Sequence, residues 1–175
     1  MRFDSLTDAV QTALQQQLDI LVVLSADTYR AASSGPFTSS VGMHLRHNLD
    51  HFEAFFQGLS KGQIDYESRG RNTMIEELPE VATVALQKTV KQLDTLRSQE
   101  VDEVLQVREE SEVGTVERFW LESSIGRELQ FLLGHTVHHN ALIGMIMRGH
   151  GIDLPASFGV APSTQRHEQG QPATS

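Results

Sequence analysis

The chain of 175 residues contains no cysteine, which removes disulfides, thiolate metal sites and a cysteine nucleophile together. Strong metal ligands are then confined to His, Asp and Glu. Basic residues are scarce as well: 14 Lys and Arg stand against 23 Asp and Glu, a formal net charge of −9. Without a basic stripe to neutralise phosphates, neither nucleic acid nor an anionic membrane surface is an expected partner. No stretch reaches the roughly 18 uninterrupted apolar residues of a membrane span. The amphipathic, acidic N-terminus has no apolar signal-peptide core. A soluble, cytoplasmic protein is the expectation. No G-x-S-x-G elbow, phosphate-cradling loop or internal repeat occurs.

What the chain does have is helical periodicity. A hydrophobic share of 39% with 21% charged residues suits one globular domain. Residues 1–164 are expected to form it, and the polar residues 165–175 to be a flexible tail. Leu6, Val10, Ala13, Leu14, Leu18, Leu21 and Val22 recur at three-and-four spacing, predicting a first helix from about Ser5, with Asp8 completing a capping box, to about Thr28. Ser39 or Ser40 starts a second helix that runs to about Leu59 on Val41, Leu45, Leu49, Phe52 and Phe56. Residues 63–72 read as a polar surface loop. A third helix begins near Pro79 and ends near Ser98, burying Val81, Val84, Ala85, Val90, Leu93 and Leu96. Between 101 and 121 the helical period fails. Val104 and Val107, then Val113 and Val116, flank an acidic tip, which suggests two short strands or an extended excursion. The fourth helix follows Ser123 or Ser124 and stops at Gly149. The expected fold is therefore all-α: an antiparallel four-helix bundle with a short extended excursion between helices three and four.

Histidines sit where such a bundle builds sites. In the fourth helix Glu128, Leu132, His135, His139, Leu142 and Ile146 share one stripe, so two imidazoles one turn apart face inward with aliphatic side chains. A buried imidazole needs partners for both ring nitrogens, and an i, i+4 pair can aim two nitrogens at one ion. The second helix carries His44, His47 and His51 along one flank of its apolar arc, and on angles alone His44 and His51 lie slightly nearer the centre than His47. Three neutral imidazoles from two helices suit zinc, nickel or iron and leave positions for water or substrate.

The runs Ser40-Val-Gly-Met-His-Leu-Arg-His47-Asn-Leu-Asp50-His51 and Gly134-His135-Thr-Val-His138-His139 resemble the DinB-like four-helix bundles, the damage-inducible protein superfamily, with the likeness spanning about residues 5–164. The resemblance implies a divalent metal held by one histidine of helix two and the His-x-x-x-His of helix four. By motif these are His47, His135 and His139, while the wheel leaves His44 or His51 as the helix-two ligand. It also implies relatives that include transferases working with a low-molecular-weight thiol, while an exposed apolar patch on helix one or three would suit a homodimer. A metal-dependent transferase acting on a small molecule is one expectation. A non-catalytic metal-binding or structural bundle, or a hydrolase using metal-activated water, is the other. Around the ligands, His44, His51 and His138 are expected to orient them or to substitute for one. Asp50 either accepts a hydrogen bond from a ligating imidazole or pairs with Arg46 at i, i+4. Glu128 is a candidate base, or else pairs with Arg127 or Arg46.

Overall fold

In a computed structural model of the chain, the described residues are 3–32, 38–68, 70, 72–96, 103–108, 119–168 and 170. The first predicted helix is two helices, α1 (Phe3–Val23) and α2 (Ala26–Arg30). Ser25 makes the break: its backbone is extended and its Oγ accepts the Thr28 amide proton, an N-cap where continuous helix was expected. Ser5, expected as a cap, lies inside α1. The helix α3 (Val41–Leu59) starts as anticipated, with the Met43 amide donating to Ser40 Oγ. The stretch expected as an irregular loop holds strand β1 (Gln63–Asp65), and the five-residue helix α4 (Thr73–Glu77) follows it. Next comes α5 (Pro79–Thr95), with proline in its first turn. Strands β2 (Val104–Arg108) and β3 (Leu121–Ser124) lead into α6 (Ile125–Gly149), where the Arg127 amide donates to Ser124 Oγ. A last helix, α7 (Pro162–Glu168), runs across the boundary drawn at residue 164.

The chain is thus mostly helical but not all-α. Its strands form one sheet in the order β1-β2-β3, with β1 parallel to β2 and β2 antiparallel to β3. The strand expected around Val104 and Val107 is β2. The one expected at Val113 and Val116 lies outside the described residues, and β2 pairs with β1 and β3. Parallel pairing of β1 with β2 needs α4 and α5 as the crossover, a long-range closure that local periodicity does not record. No helix among the described residues is long and apolar enough to cross a membrane.

The core lies between the long helices: α1 packs on α5 and α6, and α3 packs on the same two. Leu14, Leu45, Phe52, Leu86, Leu129 and Leu132 are fully buried, each contributing roughly 1.5–3 kcal/mol relative to exposure. Two expected core residues are not in it: Val22 is 86% and Val84 66% exposed. The inner line of α1 passes through Gln17 and Ile20 and continues to Leu24 just beyond it, and that of α5 runs through Ala82, Leu86, Thr89 and Leu93. Each line is as well spaced as the one the sequence suggested, and packing selects between them.

A polar layer crosses this core. Gln17 of α1, Asn48 of α3, and Thr136 and Asn140 of α6 are all fully buried. Gln17 Nε2 donates to Asn140 Oδ1 at 2.7 Å, Asn48 Nδ2 to Gln17 Oε1 at 3.3 Å, and Thr136 Oγ1 to Asn48 Oδ1 at 3.1 Å. Asn140 Nδ2 closes the layer on the Ala13 carbonyl at 2.9 Å and Gln16 Oε1 at 3.1 Å. Gln16 Oε1 also receives the Gly159 amide at 3.1 Å, which ties the segment after α6 to α1. Gly159 has φ +70° and lies so close to the backbone of Ala141 that no Cβ fits.

Truncating Asn140 deprives Gln17 Nε2 of its acceptor and the Ala13 carbonyl of its second donor inside a fully buried interface. Asn140→Ala should therefore lower unfolding free energy by about 2–4 kcal/mol. Urea unfolding followed by far-UV circular dichroism measures this, and a loss below about 1 kcal/mol would show the layer to be energetically idle.

Candidate metal centre

Three residues of α3 and three of α6 bring imidazoles to one place. Rings of His47 and His135 have centroids 5.2 Å apart, His47 and His139 4.9 Å, and His135 and His139 4.5 Å. Nitrogens of His47, His135 and His139, one from each ring, all lie within 4.8 Å of one another. Around one ion with metal–nitrogen bonds of about 2.0–2.1 Å at tetrahedral angles, ligand nitrogens are roughly 3.4 Å apart. Their separations, at most 4.8 Å, exceed that value by no more than about 1.4 Å. His139 is 7% exposed, while His47 and His135 are half-buried. The donor set therefore fits a divalent cation in chemistry and nearly fits it in spacing.

The remaining sequence candidates take places around this triad. His51, at 2% exposure the most buried histidine of α3, lies with its ring tilted 45° to that of His135 and 4.1 Å from it. Its Nδ1 lies 2.8 Å from the His47 carbonyl oxygen, which can only accept, so Nδ1 carries the proton. His44 faces His139 with Nδ1 to Nδ1 at 3.0 Å, and its Nε2 is 2.9 Å from Ser39 Oγ. His138 is exposed and meets the His139 ring edge-on. Asp50 takes the ion-pair alternative: Arg46 reaches its Oδ2 at 3.0 Å and Glu76 Oε1 at 2.5 Å. Buried Glu128 accepts a 2.5 Å hydrogen bond from Ser123 Oγ, which places it at the start of α6, away from the triad. His150 and His167 are exposed, as expected of terminal positions.

Two residues near the site were not singled out from sequence. Tyr66, 1% exposed, stands just after β1 with its ring 5.5 Å from His51 and 5.3 Å from Phe131. The pairing of Tyr66 N with the Arg108 carbonyl holds it there, so its position depends on the β1–β2 crossover. Ser39 was visible only as a possible helix cap, a role that Ser40 fills.

The electrostatics favour neutral rings. Burial lowers the pKa of His139 to about 2, with His135, His47, His44 and His138 adding repulsion. His44 is lowered by burial first and by His138 second. Neutral imidazoles are what a metal requires of its ligands.

Over residues 9–143 the sequence matches the profile of the DinB superfamily. A protein of Rhizopus delemar named FK506-binding protein 5 is 30% identical over 108 residues, which is 62% of this chain. That alignment covers 28% of the relative, so the chain matches less than a third of the relative's length. No solved structure matches the chain.

His139 gives a sign to the pH dependence of stability. Its folded pKa is depressed, so the metal-free chain keeps full stability above an unfolded imidazole pKa of about 6.5. Stability falls as acid protonates the unfolded chain but not this ring. Between pH 7.5 and 5.5, in chelator, Tm should drop for the wild type and drop less for His139→Asn. Equal slopes in the two thermal series would refute the assignment.

Proposed function

From the DinB superfamily, to which the chain belongs, and from its cluster of imidazoles, we propose a divalent-metal-binding protein whose ligands are His47, His135 and His139. The observation that carries this reading is that one nitrogen of each ring lies within 4.8 Å of the others. Zinc, nickel and iron are all compatible with three imidazoles. In this reading α1, α3, α5 and α6 are the four helices of a DinB-type antiparallel bundle, and residues 1–164 form one domain. The protein is expected to be a homodimer, with no role in nucleic-acid or membrane binding.

A bound cation with an open coordination position supplies Lewis acidity toward a thiol or water. The chain's own residues then bind, orient and exclude water: His135 and His139 stand one turn apart on α6, His47 faces them from α3, and Tyr66 and Phe131 wall the His51 side. The activity proposed is transfer involving a low-molecular-weight thiol and a small molecule, with hydrolysis as the related alternative. A second, non-catalytic reading is that the cation ties α3 to α6. That the triad draws His47 from α3 and His135 and His139 from α6 favours it.

Elemental analysis of protein purified without a polyhistidine tag should find about one divalent ion per chain, and His139→Ala should lose it while keeping its helical circular dichroism. Metal-free wild type would overturn the site. Calorimetry of the metal form with glutathione, bacillithiol and mycothiol then separates the readings. Thiol binding supports the transferase, and a large Tm loss on chelation without thiol binding supports the structural tie.

A further inference from the structure

A chain of three side chains leads away from the proposed ligands: His139 Nδ1 to His44 Nδ1 at 3.0 Å, then His44 Nε2 to Ser39 Oγ at 2.9 Å. A histidine that ligates a metal is neutral, and a neutral imidazole carries one proton and one lone pair. A contact between two Nδ1 atoms is a hydrogen bond only if one of them is protonated and the other is not. The chain therefore has two self-consistent directions. In one, Ser39 donates to His44 Nε2, His44 Nδ1–H donates to His139 Nδ1, and the proton of His139 sits on Nε2. In the other, His139 Nδ1–H donates to His44 Nδ1, and His44 Nε2–H donates to Ser39 Oγ. Only the second leaves His139 Nε2 with a lone pair.

We propose that His44, backed by Ser39, is a positioning residue that holds His139 as the Nδ1–H tautomer and so presents Nε2 to the metal. The proposal rests on the metal-binding reading above. A ligating histidine commonly donates its other N–H to a carboxylate, carbonyl or water. Here a neutral imidazole from the facing helix takes that place. The partner adds no negative charge beside the cation, and it couples the ring orientation of His139 to the packing of α3 on α6. Because the ring of His44 has a second nitrogen, the chain ends at Ser39, at the N-terminal edge of α3, just before its cap Ser40. A hydroxyl both donates and accepts, so Ser39 accommodates either direction, and metal binding selects one.

The test uses full-length protein, zinc, and competition with a chromophoric chelator. His44→Leu should weaken zinc about 10–100-fold with helical content unchanged, the range found when such orienting partners are removed. His44→Gln can accept through Oε1, and it should recover affinity to within roughly threefold of wild type. Long-range ¹H–¹⁵N spectra of the zinc form should show His139 protonated at Nδ1. His44→Leu with wild-type affinity, or His139 protonated at Nε2 with Nδ1 bound, would overturn the positioning role alone. Zinc binding that His44→Leu and His44→Gln weaken equally would reduce His44 to packing and also overturn it. A wild-type protein that takes up no zinc, nickel or iron would fail differently, by removing the metal reading itself.

Discussion

The buried amide and hydroxyl layer formed by Gln17, Asn48, Thr136 and Asn140 sets the relation of α3 to α6, and the histidine cluster depends on that relation. Each proposed ligand is followed directly by a member of the layer: His47 by Asn48, His135 by Thr136 and His139 by Asn140. Adjacent helical residues point about 100° apart, so the layer and the triad are two faces of the same turns. The layer's hydrogen bonds have fixed partners and directions, whereas the aliphatic contacts around them could slide. A one-residue slip of α6 would break the bonds from Thr136 to Asn48 and from Gln17 to Asn140, leaving polar atoms stranded in a dry core. Register is thereby specified by the cost of stranded polar groups, and the histidines inherit it.

The α3 helix shows how this layout separates functions around one cylinder. Leu45, Leu49, Phe52 and Phe55 bury an apolar line, and Asn48 supplies the polar layer. His44, His47 and His51 face α6. Arg46 and Asp50 form an ionic line toward α4, where Arg46 meets Glu76. Gly42 is where α4 comes closest: a Cβ there would collide with the Glu76 carbonyl, so glycine lets the ionic line close. Full charges on the line Arg46–Asp50–Glu76 are paired with one another, and the groups facing α6 are neutral rings.

Most of this was legible in sequence where the signal is periodic. The four long helices, their caps to within one residue (Ser39 or Ser40, Ser123 or Ser124), and the alignment of His135 with His139 all follow from three-and-four spacing and capping chemistry. Ser25 was less legible, because a hydroxyl inside a periodic run is read as helix until its own backbone turns extended. The sheet was read only in part, since β1 is three residues long and gains its identity from a parallel partner more than forty residues away. Tyr66 was missed for the same reason. The wheel left the choice among His44, His47 and His51 open, because it reports the depth of a side chain and not its tautomer. His51 is the most buried of the three, and with its Nδ1 proton given to the His47 carbonyl its lone pair is on Nε2.

Why these rings share a space at all is a question of what else could neutralise the site. Several imidazoles crowded together repel when protonated, and burial already pushes His139 to about 2, so proton uptake is a poor way to satisfy its ring nitrogens. The alternative of pairing them with carboxylates is not taken: the buried acid of α6, Glu128, is held by Ser123, and that of α3, Asp50, is held by Arg46. Imidazoles can satisfy one another only in donor–acceptor pairs, as His44 and His139 do. A pair in which each ring brings one proton and one lone pair still leaves a lone pair at one end and a proton at the other. In the proposed direction, the proton end is taken by Ser39 and the lone pair faces His47 and His135. Lone pairs of three imidazoles brought to one point repel without a cation among them and are satisfied with one, which is the arrangement the proposed site supposes.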